Sequence, residues 1–585
     1  EQGVVVKEEN FFESWYEYRS GEMGLYSLQQ DLVEQLIVLG ELRGDLLKTT
    51  PNANPDLVEI YNFNINRGNK YASPYNFYKL IAACNNLSMR LRNEHPGILD
   101  ETAEISNYDR LYGEVLCMRA WTYFNMVRIY GEVPYINESL TSIEEIEDYV
   151  NSGAQYIDSV DYIFAADGTV ADTIRNEEVV LEKKYINTEA VIDTFTHELE
   201  NEIKTTGVNH SINNNDNTWE ATVWTDYSRH CLLGEMYLWD QNYTQAIEHF
   251  DHILYNTSSE NENIRFGLDD KFEQSSWKNI FTSIDPYEHI YTLWFNKSYR
   301  QKHELQTLFS PLPPNKYILK PTSTAVHHWE TIWRNINIDR NDDNPKETEI
   351  VSPGIPGDFN RGYGVSYAYY KNGALLKDDY VKQMLTEKKL KNNRTVSEMM
   401  EGVDTVAYKY SLGRNSFSHD ADFPVYRAAD IHLYASEIYA RWRFSGGDSY
   451  ILNSLNIMND GSYNNNPDQL GVRGRVGFGD GYDAVQIRNI IYQHDPFTNE
   501  VVGYSNYEGE PLAKSRYIVD KVIEERAREL AFEGKRFFDL MRIAKRRNDP
   551  AFLADKVAEK YKGSKEEQIR NYLMNEDNWY IPFYE

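Results

Sequence analysis

The stretch IVDKVIEERARELAFEGKRFFDLMRIA, Ile518–Ala544, carries the strongest structural signal in this chain. Wound at 100° per residue, it predicts one amphipathic helix with an apolar stripe of Val519, Val522, Ile523, Leu530, Phe537, Leu540 and Met541. Arg526 and Glu533 project from the middle of that stripe. Glu529 and Arg536 lie three positions further on, at the spacing where helical side chains meet. Because unpaired buried charges are costly, we expect these four residues to form a buried structural ion network.

This stretch closely resembles the C-terminal signature of the SusD/RagB family, nutrient-binding lipoproteins on the outer face of a Gram-negative outer membrane. The matching residues are Ile523, Glu525, Arg526, Glu529, Leu530, Phe532, Glu533, Gly534, Arg536, Phe537, Phe538, Asp539, Leu540 and Arg542. Four other segments are similar to family motifs, so the resemblance spans most of the chain. They contain Ile81 and Asn85; Tyr130, Gly131, Val133 and Pro134; Arg427, Asp430 and Glu437; and Ile581, Pro582 and Glu585. Gly131 followed by Pro134 also predicts the end of a helix.

A second signal lies in LLGEMYLWDQNYTQAIEHF, Leu232–Phe250. It follows the tetratricopeptide spacing at Leu233, Gly234, Tyr237, Ala246 and Phe250. Five positions in register favour a tetratricopeptide-like helical hairpin over an unspecialised pair of helices. Because only one unit is clear, we do not expect a regular repeat array.

The predicted fold class is mainly α, a SusD-like fold with tetratricopeptide-like hairpins and a loop-rich region containing short strands. We expect one domain over residues 1–585. Its helical scaffold is expected at 13–256, 421–445 and 511–575, with helices over 423–442 and 518–544 among its members. The ligand-binding region is expected in the loop-rich segment 257–420, with further loops at 446–510.

Charge and composition exclude several classes of partner. Lys and Arg total 60 against 91 Asp and Glu, and the net charge of −31 opposes binding to nucleic acid or to an anionic membrane surface. No apolar run approaches the roughly 18 residues that span a bilayer. The three cysteines show no metal or redox spacing and are expected in the core. The family resemblance implies membrane attachment through an N-terminal lipid on a cysteine that precedes residue 1.

Aromatic residues make up 14% of the chain, a surplus that suits binding surfaces built from flat rings. Trp329 and Trp333 are predicted four apart on one helical face, with core packing and exposure equally open. For the tyrosine-rich stretch from Tyr363 to Tyr370 we favour exposure. The candidate ligand-binding residues are Tyr71, Tyr75, Trp277, Trp294, Trp329, Trp333, Arg334, Asn335, Tyr363, Tyr367 and Tyr370.

No catalytic residue, metal ligand or cofactor is predicted. The segment with Asp339, Asn341 and Asp343 resembles a calcium loop, but Ile350 stands where a bidentate glutamate is required. We therefore expect a solvated acidic loop. No nucleophile motif or phosphate-binding motif occurs.

The resemblance implies a non-enzymatic protein that captures oligosaccharide or polysaccharide and delivers it to a SusC-like TonB-dependent transporter. An oligopeptide-binding member of the same family is the first alternative. An all-helical glycoside hydrolase is another, with Glu330 beside Trp329 as its acid. A fourth, an intracellular tetratricopeptide adaptor, requires several regular repeats, and the sequence contains one.

Overall fold

The computed structural model describes most of the chain, in several separate segments. They are residues 12–94, 106–151, 154–164, 170–181, 185–203, 217–254, 266–268, 279–284, 287–330, 333–334, 337–339, 348–350, 355–356, 358, 361–389, 394–411, 414–441, 453–454, 457–458, 471–473, 493–494, 501–503 and 510–583.

Helices dominate these residues. In chain order they are α1 Trp15–Gln30, α2 Val33–Ile37, α3 Pro55–Asn62, α4 Tyr75–Glu94, α5 Asn107–Tyr130, α6 Ile143–Asn151, α7 Thr188–Asn201, α8 Asn217–Glu220, α9 Asp226–Trp239, α10 Tyr243–Leu254, α11 Leu305–Phe309, α12 Ser323–Glu330, α13 Asp378–Lys389, α14 Val396–Met399, α15 Ala428–Arg441, α16 Glu510–Glu529, α17 Arg536–Arg547, α18 Ala551–Ala558 and α19 Ser564–Leu573. A π-helical turn follows α2 at Val38–Leu42, and 3₁₀ turns occupy Lys297–Tyr299 and Glu576–Trp579.

The strands are short apart from one hairpin. They are β1 Leu47–Thr49, β2 Glu132–Pro134, β3 Ala154–Phe164, β4 Val170–Leu181, β5 Tyr185–Asn187, β6 His289–Leu293, β7 Leu319–Pro321, β8 Trp333–Arg334, β9 Asn337–Asp339, β10 Thr348–Ile350, β11 Ile355–Pro356, β12 Tyr367–Lys371, β13 Ala374–Leu375, β14 Val403–Ala407, β15 Phe423–Arg427, β16 Gln493–His494 and β17 Val501–Gly503. All pairings are antiparallel: β1 with β7, β2 with β5, β3 with β4, β6 with β15, β8 with β11, β9 with β10, β16 with β17, and β12 between β13 and β14. The mainly α fold class with small sheets is confirmed.

The chain divides into two compact units, one of Glu1–Leu28, Pro74–Ile203 and Glu585 and the other of Gln29–Ser73 and Lys204–Tyr584. In the first unit, α5 packs against α4 and α7. The Ser106 side chain caps the start of α5 by accepting from the Asp109 N–H at 3.1 Å. The helix stops where Gly131 adopts a φ of +84°, the helix stop that the sequence predicted. The expectation of a single domain over 1–585 stays a prediction.

The region expected to be helical scaffold in 13–256 also contains a long β-hairpin, β3 with β4. Its sequence, AQYIDSVDYIF, places apolar residues at alternate positions over much of its length, which suits a strand. The hairpin therefore corrects the purely helical expectation for this segment.

The second unit contains the tetratricopeptide-like pair α9 and α10. A Cβ atom on Gly234 would lie 2.5 Å from Cε1 of Phe250, so only glycine lets that ring close the gap between the helices. The capping box of Thr225 and Ser228 fixes the start of α9. The hairpin predicted from the spacing of these residues is confirmed.

The predicted helix over 518–544 is wrong in one respect, because the structure breaks it into α16 and α17. In the turn between them Phe532 has a φ of +69° and Gly534 a φ of +78°. Lys409 donates to the carbonyl oxygens of Glu529 at 3.1 Å and Ala531 at 2.9 Å, near the end of α16. The Glu41 carboxylate accepts from the Lys535 N–H at 3.0 Å, just before α17. Side chains distant in sequence thus replace the hydrogen bonds that a continuous helix would make.

The predicted helix over 423–442 also needs correction. Its first five residues form β15, which pairs with β6, and α15 begins only at Ala428. Phe423, Val425 and Tyr426 are residue types that favour a strand, and β6, which is distant in sequence, supplies the strand with which they pair.

Candidate functional site

An open cleft in the second unit begins where the pairing of β6 with β15 ends, at Leu293 and Phe423. Just beyond Leu293, the Asn296 side chain accepts from the Ser298 N–H at 2.8 Å. That bond starts the 3₁₀ turn at 297–299, which Arg300 closes with a φ of +61°. The turn presents Trp294 and Tyr299 at the protein surface.

These two rings form an aromatic wall. The Trp294 side chain is 36% exposed and that of Tyr299 is 71% exposed. Their ring centroids are 6.3 Å apart, and the ring planes are inclined at 63°. Exposed rings in this arrangement offer flat apolar faces to a ligand.

The loop from Arg414 to Asp422 supplies polar groups to the cleft. Arg414 Nη1 lies 2.6 Å from Asp420 Oδ1 in an ion pair. His303 Nε2 donates to the Ala421 carbonyl oxygen at 2.7 Å, since its Nδ1 accepts from the Leu305 N–H. Burial lowers the pKa of His303 to about 4, so this imidazole stays neutral near pH 7. The loop is therefore held by neutral hydrogen bonds and one partly exposed ion pair.

Asp422 lies between the polar loop and the aromatic wall. Its Oδ1 accepts from the Phe295 N–H at 3.3 Å, and its side chain is buried. Burial raises the pKa of Asp422 to about 6, although the Phe295 hydrogen bond acts in the opposite direction.

The cleft has a volume of about 780 Å³, within the size range of small-molecule binding sites. Its lining consists of Trp219, Thr222, Thr282, Ser283, Ile284, Trp294, Phe295, Asn296, Lys297, Ser298, Tyr299, Arg414, Asp420 and Asp422. Apolar ring faces are thus flanked by hydroxyl, amide, carboxylate and guanidinium groups. This arrangement can bind a ligand that has both an apolar face and many hydrogen-bonding groups.

Of the residues proposed from the sequence, Trp294 lines this cleft. Tyr75 is 70% exposed at the start of α4, in the first unit. Tyr370 is half-buried on β12. Trp277 and Asn335 lie outside the described residues, and only the backbone of Trp333 and Arg334 is described.

The remaining aromatic candidates are buried and cannot stack on a ligand in this structure: Tyr71, Trp329, Tyr363 and Tyr367. The Tyr71 hydroxyl donates to Glu34 Oε1 at 2.6 Å. The Trp329 ring is 1% exposed and stacks on Tyr367, with ring centroids 5.2 Å apart.

The expected exposure of the stretch from Tyr363 to Tyr370 is therefore wrong for Tyr363, Tyr367 and Tyr369. These rings pack on one another at 5.3 to 6.2 Å between centroids. The strand β12 is also covered on both edges, because it lies between β13 and β14. An aromatic cluster of this density forms its own core.

The predicted helical face shared by Trp329 and Trp333 is also wrong. Helix α12 ends at Glu330, and Trp333 begins β8, which pairs with β11. Glu330, the acid of the hydrolase alternative, is buried and faces the Tyr367 hydroxyl at 3.4 Å. It is therefore not presented to an open cleft.

Several residues that line the cleft were missed from sequence, among them Trp219, Asn296, Tyr299, Arg414, Asp420 and Asp422. Tyr299 lies in the loop-rich segment 257–420 but belongs to no motif. A partial signal was present in RNSFSHDAD, Arg414–Asp422, a polar loop directly before a strand.

The buried ion network predicted around the C-terminal helix exists, but most of its partners lie outside the stretch 518–544. Arg427 joins Glu288 at 2.8 Å, Glu529 at 2.6 Å and Glu533 at 2.9 Å. Arg526 forms ion pairs with Asp430 at 2.7 Å and Asp539 at 2.8 Å. Arg536 pairs with Asp45 at 2.6 Å, and Arg361 pairs with Glu529 at 2.9 Å. The expected pairs within one helix are therefore wrong, because the break at 530–535 points these side chains toward other elements.

The network keeps the Glu533 carboxylate ionised. Burial would raise the pKa of Glu533, but Arg427 and Lys409 beside it hold that pKa below its usual range. A carboxylate in this state does not donate protons near pH 7, which supports a structural role for the network.

No metal site or membrane-spanning helix occurs in the part of the chain that the structure describes. There, no three His, Cys, Asp or Glu side chains are grouped so as to hold a metal ion. None of the helices in those segments combines the length and apolarity needed to cross a bilayer. In the calcium-like loop, Asp339 lies on β9 and Ile350 on β10, and residues 340–347 between these strands lie outside the described residues.

Comparisons with known proteins cover nearly the whole chain. Residues 189–585 match the family model described as "SusD family", and residues 48–173 match another described as "Starch-binding associating with outer membrane". No curated protein matches the sequence.

Three solved structures are similar along almost their full length. A SusD superfamily protein from Bacteroides vulgatus ATCC 8482 has 14% identity and a TM-score of 0.58, with 98% of this chain and 96% of that one covered. One from Bacteroides thetaiotaomicron VPI-5482 has 17% identity and a TM-score of 0.53, covering 97% and 98%. A "Laminarin binding SusD-like protein" has 15% identity and a TM-score of 0.54, covering 95% and 96%. At these identities the likeness establishes the fold.

Proposed function

The chain belongs to the SusD family, and from that membership we propose that its aromatic cleft binds neutral oligosaccharide or polysaccharide at the cell surface. The observation that carries the proposal is the pair of exposed rings, Trp294 and Tyr299, at the wall of a cleft with polar edges. Pyranose rings have apolar faces that stack on aromatic rings, while their hydroxyl groups require donors and acceptors around the rim.

Charge supports a neutral ligand. Arg414 in the cleft is paired with Asp420, and the chain as a whole carries a net charge of −31. The chain as a whole would repel an anionic polysaccharide, and the two cationic side chains of the cleft, Lys297 and Arg414, are balanced by the carboxyl groups of Asp420 and Asp422. One structural neighbour is described as laminarin-binding, and one family model as starch-binding, which agrees with glucans as first ligands to test.

We further propose that the protein is lipid-anchored at the extracellular face of the outer membrane and delivers its ligand to a SusC-like TonB-dependent transporter. The family description of outer-membrane association supports the location. Affinity purification of the full chain from solubilised outer membranes, with mass spectrometry, tests the partner. The expected result is a TonB-dependent transporter as the main co-purifying protein, and its absence would contradict this part of the proposal.

A basic oligopeptide is the second candidate ligand. The cleft contains two carboxylates, Asp420 and Asp422, and a negatively charged protein attracts cationic peptides. Binding of lysine-rich peptides without binding of any neutral glycan would select this alternative.

Isothermal titration calorimetry against α-1,4-, β-1,3- and β-1,4-linked glucans and a mannan tests the main proposal. Trp294→Ala and Tyr299→Ala should each lower the affinity for the bound glycan about tenfold or more. Tyr16→Ala is the matched control, since Tyr16 is also 71% exposed but does not line the cleft. The proposal is overturned if no neutral glycan binds, or if both cleft variants bind like the wild type. Assays for newly formed reducing ends in the same samples should show none if the protein is a binder only.

A further inference from the structure

The peptide unit between Trp294 and Phe295 leaves the β-ladder and has to find other hydrogen-bond partners. The last residue pair of β6 with β15 is Leu293 with Phe423. Backbone polar groups near the protein interior are almost always paired, so the partners of this unit determine its orientation.

Two side chains hold the two ends of this peptide unit. The Gln30 side-chain amide donates to the Trp294 carbonyl oxygen. Asp422 Oδ1 accepts from the Phe295 N–H on the other side of the same unit, at 3.3 Å. Gln30 is the last residue of α1, and Asp422 directly precedes β15. Elements far apart in the sequence therefore fix one peptide plane.

The orientation of this plane sets the backbone angle ψ of Trp294 and thereby helps to direct its side chain. We propose that Gln30 and Asp422 are positioning residues of the cleft, which hold the Trp294 ring in the orientation that stacks on a ligand. The role of the ring as a ligand platform rests on the proposed function. The fixing of the ring itself does not, and it can be measured without ligand.

A variant of Gln30 can distinguish a positioning role from direct contact with the ligand. It does not line the cleft, whereas Asp422 does. A change at Gln30 that alters the Trp294 ring and weakens ligand binding must therefore act through the peptide unit. At Asp422 the same loss of affinity would also include any direct hydrogen bond to the ligand.

The hydrogen bond from the Phe295 N–H to Asp422 is expected to depend on pH. Its burial raises its pKa to about 6, and an ionised acceptor makes the stronger hydrogen bond. The charged groups around it are Arg414 and Asp420 on the same loop and Lys297 on the aromatic wall. His303, which supports the loop, has a pKa lowered to about 4 by burial and stays neutral above it. The hold on Trp294 should therefore tighten as pH rises through about 6.

Fluorine NMR of the full chain labelled with 5-fluorotryptophan tests the proposal. The chain has 11 tryptophans, and a Trp294→Phe variant assigns the Trp294 resonance. Gln30→Met, which keeps the size but removes the donor, and Asp422→Ala should shift or broaden that resonance and leave the others unchanged. Asp422→Asn, which keeps a neutral acceptor, should give the resonance that the wild type shows below pH 6 and abolish its titration near pH 6.

Affinity for the glucan identified by calorimetry is the second measurement. Gln30→Met should weaken binding about fivefold, the effect of one ordinary hydrogen bond, with a melting temperature within about 2 °C of the wild type. Asn52→Ala is the matched control, since the Asn52 side chain donates to the Lys316 carbonyl oxygen at 2.6 Å outside the cleft. It should change neither readout.

The positioning role is overturned if the Trp294 resonance of Gln30→Met and Asp422→Ala coincides with that of the wild type. If no neutral glycan binds the wild-type protein, the proposed function fails, and the resonance still decides the positioning role. The two failures are therefore distinguishable.

Discussion

The turn between α16 and α17 and the cleft around Trp294 use the same kinds of side chain for opposite purposes. At the turn, arginines and acids such as Arg427 and Glu533 are fully buried and each charge has a partner. In the cleft, the Arg414 and Asp420 pair is partly open to solvent and lies beside exposed rings. The difference shows that charge and aromatic content identify neither a core nor a binding surface. What packs across from each side chain decides between them.

Trp329 and Trp294 make the same contrast with a single residue type. The Trp329 indole N–H donates to the Arg528 carbonyl oxygen at 3.1 Å, and its ring is sealed against Tyr367. The Trp294 ring has Tyr299 at its edge and is open to solvent. One tryptophan stabilises the fold, and the other is available to a ligand.

Breaking the buried network should have the largest effect. Arg427→Met removes the guanidinium shared by Glu288, Glu529 and Glu533, and should lower the free energy of unfolding by about 5 kcal/mol. Denaturant unfolding followed by circular dichroism measures it. Arg570→Met is the control, because the Arg570 and Asp555 side chains are 43% and 53% exposed and this pair should contribute less than about 1 kcal/mol. Equal losses in the two variants would show that the network is no more than a set of surface-like pairs.

Replacing the buried Trp329 and the exposed Trp294 should affect different properties, the first stability and the second ligand affinity. Trp329→Ala leaves a cavity in the core and should cost about 4 kcal/mol of unfolding free energy. Trp294→Ala should change stability by about 0.5 kcal/mol and act on ligand affinity instead. Thermal unfolding and calorimetry on both variants provide the measurements. A strongly destabilised Trp294→Ala would contradict the assignment of this ring to a binding surface.

The close backbone contact behind the turn gives the third prediction. A Cβ atom on Gly40, in the π-helical turn, would lie 1.9 Å from the Gly534 carbonyl oxygen. Gly40→Ala should therefore displace the turn and cost about 3 kcal/mol. Gly24→Ala, with nothing within 4 Å of its added methyl group, serves as the control and should be neutral or slightly stabilising. Two variants of equal stability would mean that the backbones can separate at little cost.

The smallest expected effect is the pH dependence of the unfolding free energy, which should differ between the two regions. Burial would raise the pKa of Asp45, but Arg536 beside it lowers the pKa to about 2. Its stabilising contribution, about 2 kcal/mol, is present above pH 4 and is lost as pH falls toward 2. Asp422 in the cleft has a raised pKa of about 6, so its contribution is present below pH 4 and is lost as pH rises through 6.

Unfolding free energies measured from pH 2 to 8 check these signs. Asp45→Asn should remove the wild-type loss at the acid end, and Asp422→Asn should remove the loss between pH 4 and 6. If both substitutions changed the slope of unfolding free energy against pH with the same sign, the two carboxyl groups would not differ in environment.

The elements predicted best from the sequence are those with strong local signals. The end of α5 at Gly131 and the hairpin of α9 with α10 follow from motifs a few residues long, and the helix stop and the Gly234 contact confirm them. Four charged residues of the network, Arg526, Glu529, Glu533 and Arg536, were also identified, because charges on an apolar stripe must be buried and paired. Trp294 was among the candidates for the site, but no sequence feature distinguished it from Trp329.

The errors arose where distant parts of the chain meet. The break between α16 and α17 depends on Lys409, Glu41 and Gly40, which lie over 100 residues away from it. The tyrosines near Tyr367 have the Gly-flanked sequence of an exposed loop, yet they are buried against one another and against the Trp329 ring. Residues such as Asp420 and Asp422 carry no motif, and only their place in the lining of the same cleft as Trp294 gives them a role.

By itself, then, the sequence determined the helical class, the helix stops and hairpin, the charges that must be buried, and the resemblance to a family. Helical periodicity, capping and the cost of burying a charge act within a few residues, so they can be read locally. The tertiary structure alone decided which rings are open to solvent, which acid pairs with which base, and which peptide plane is held beside Trp294. Exposure and pairing depend on groups that are close in space and far apart along the chain, as Gln30 is from Trp294.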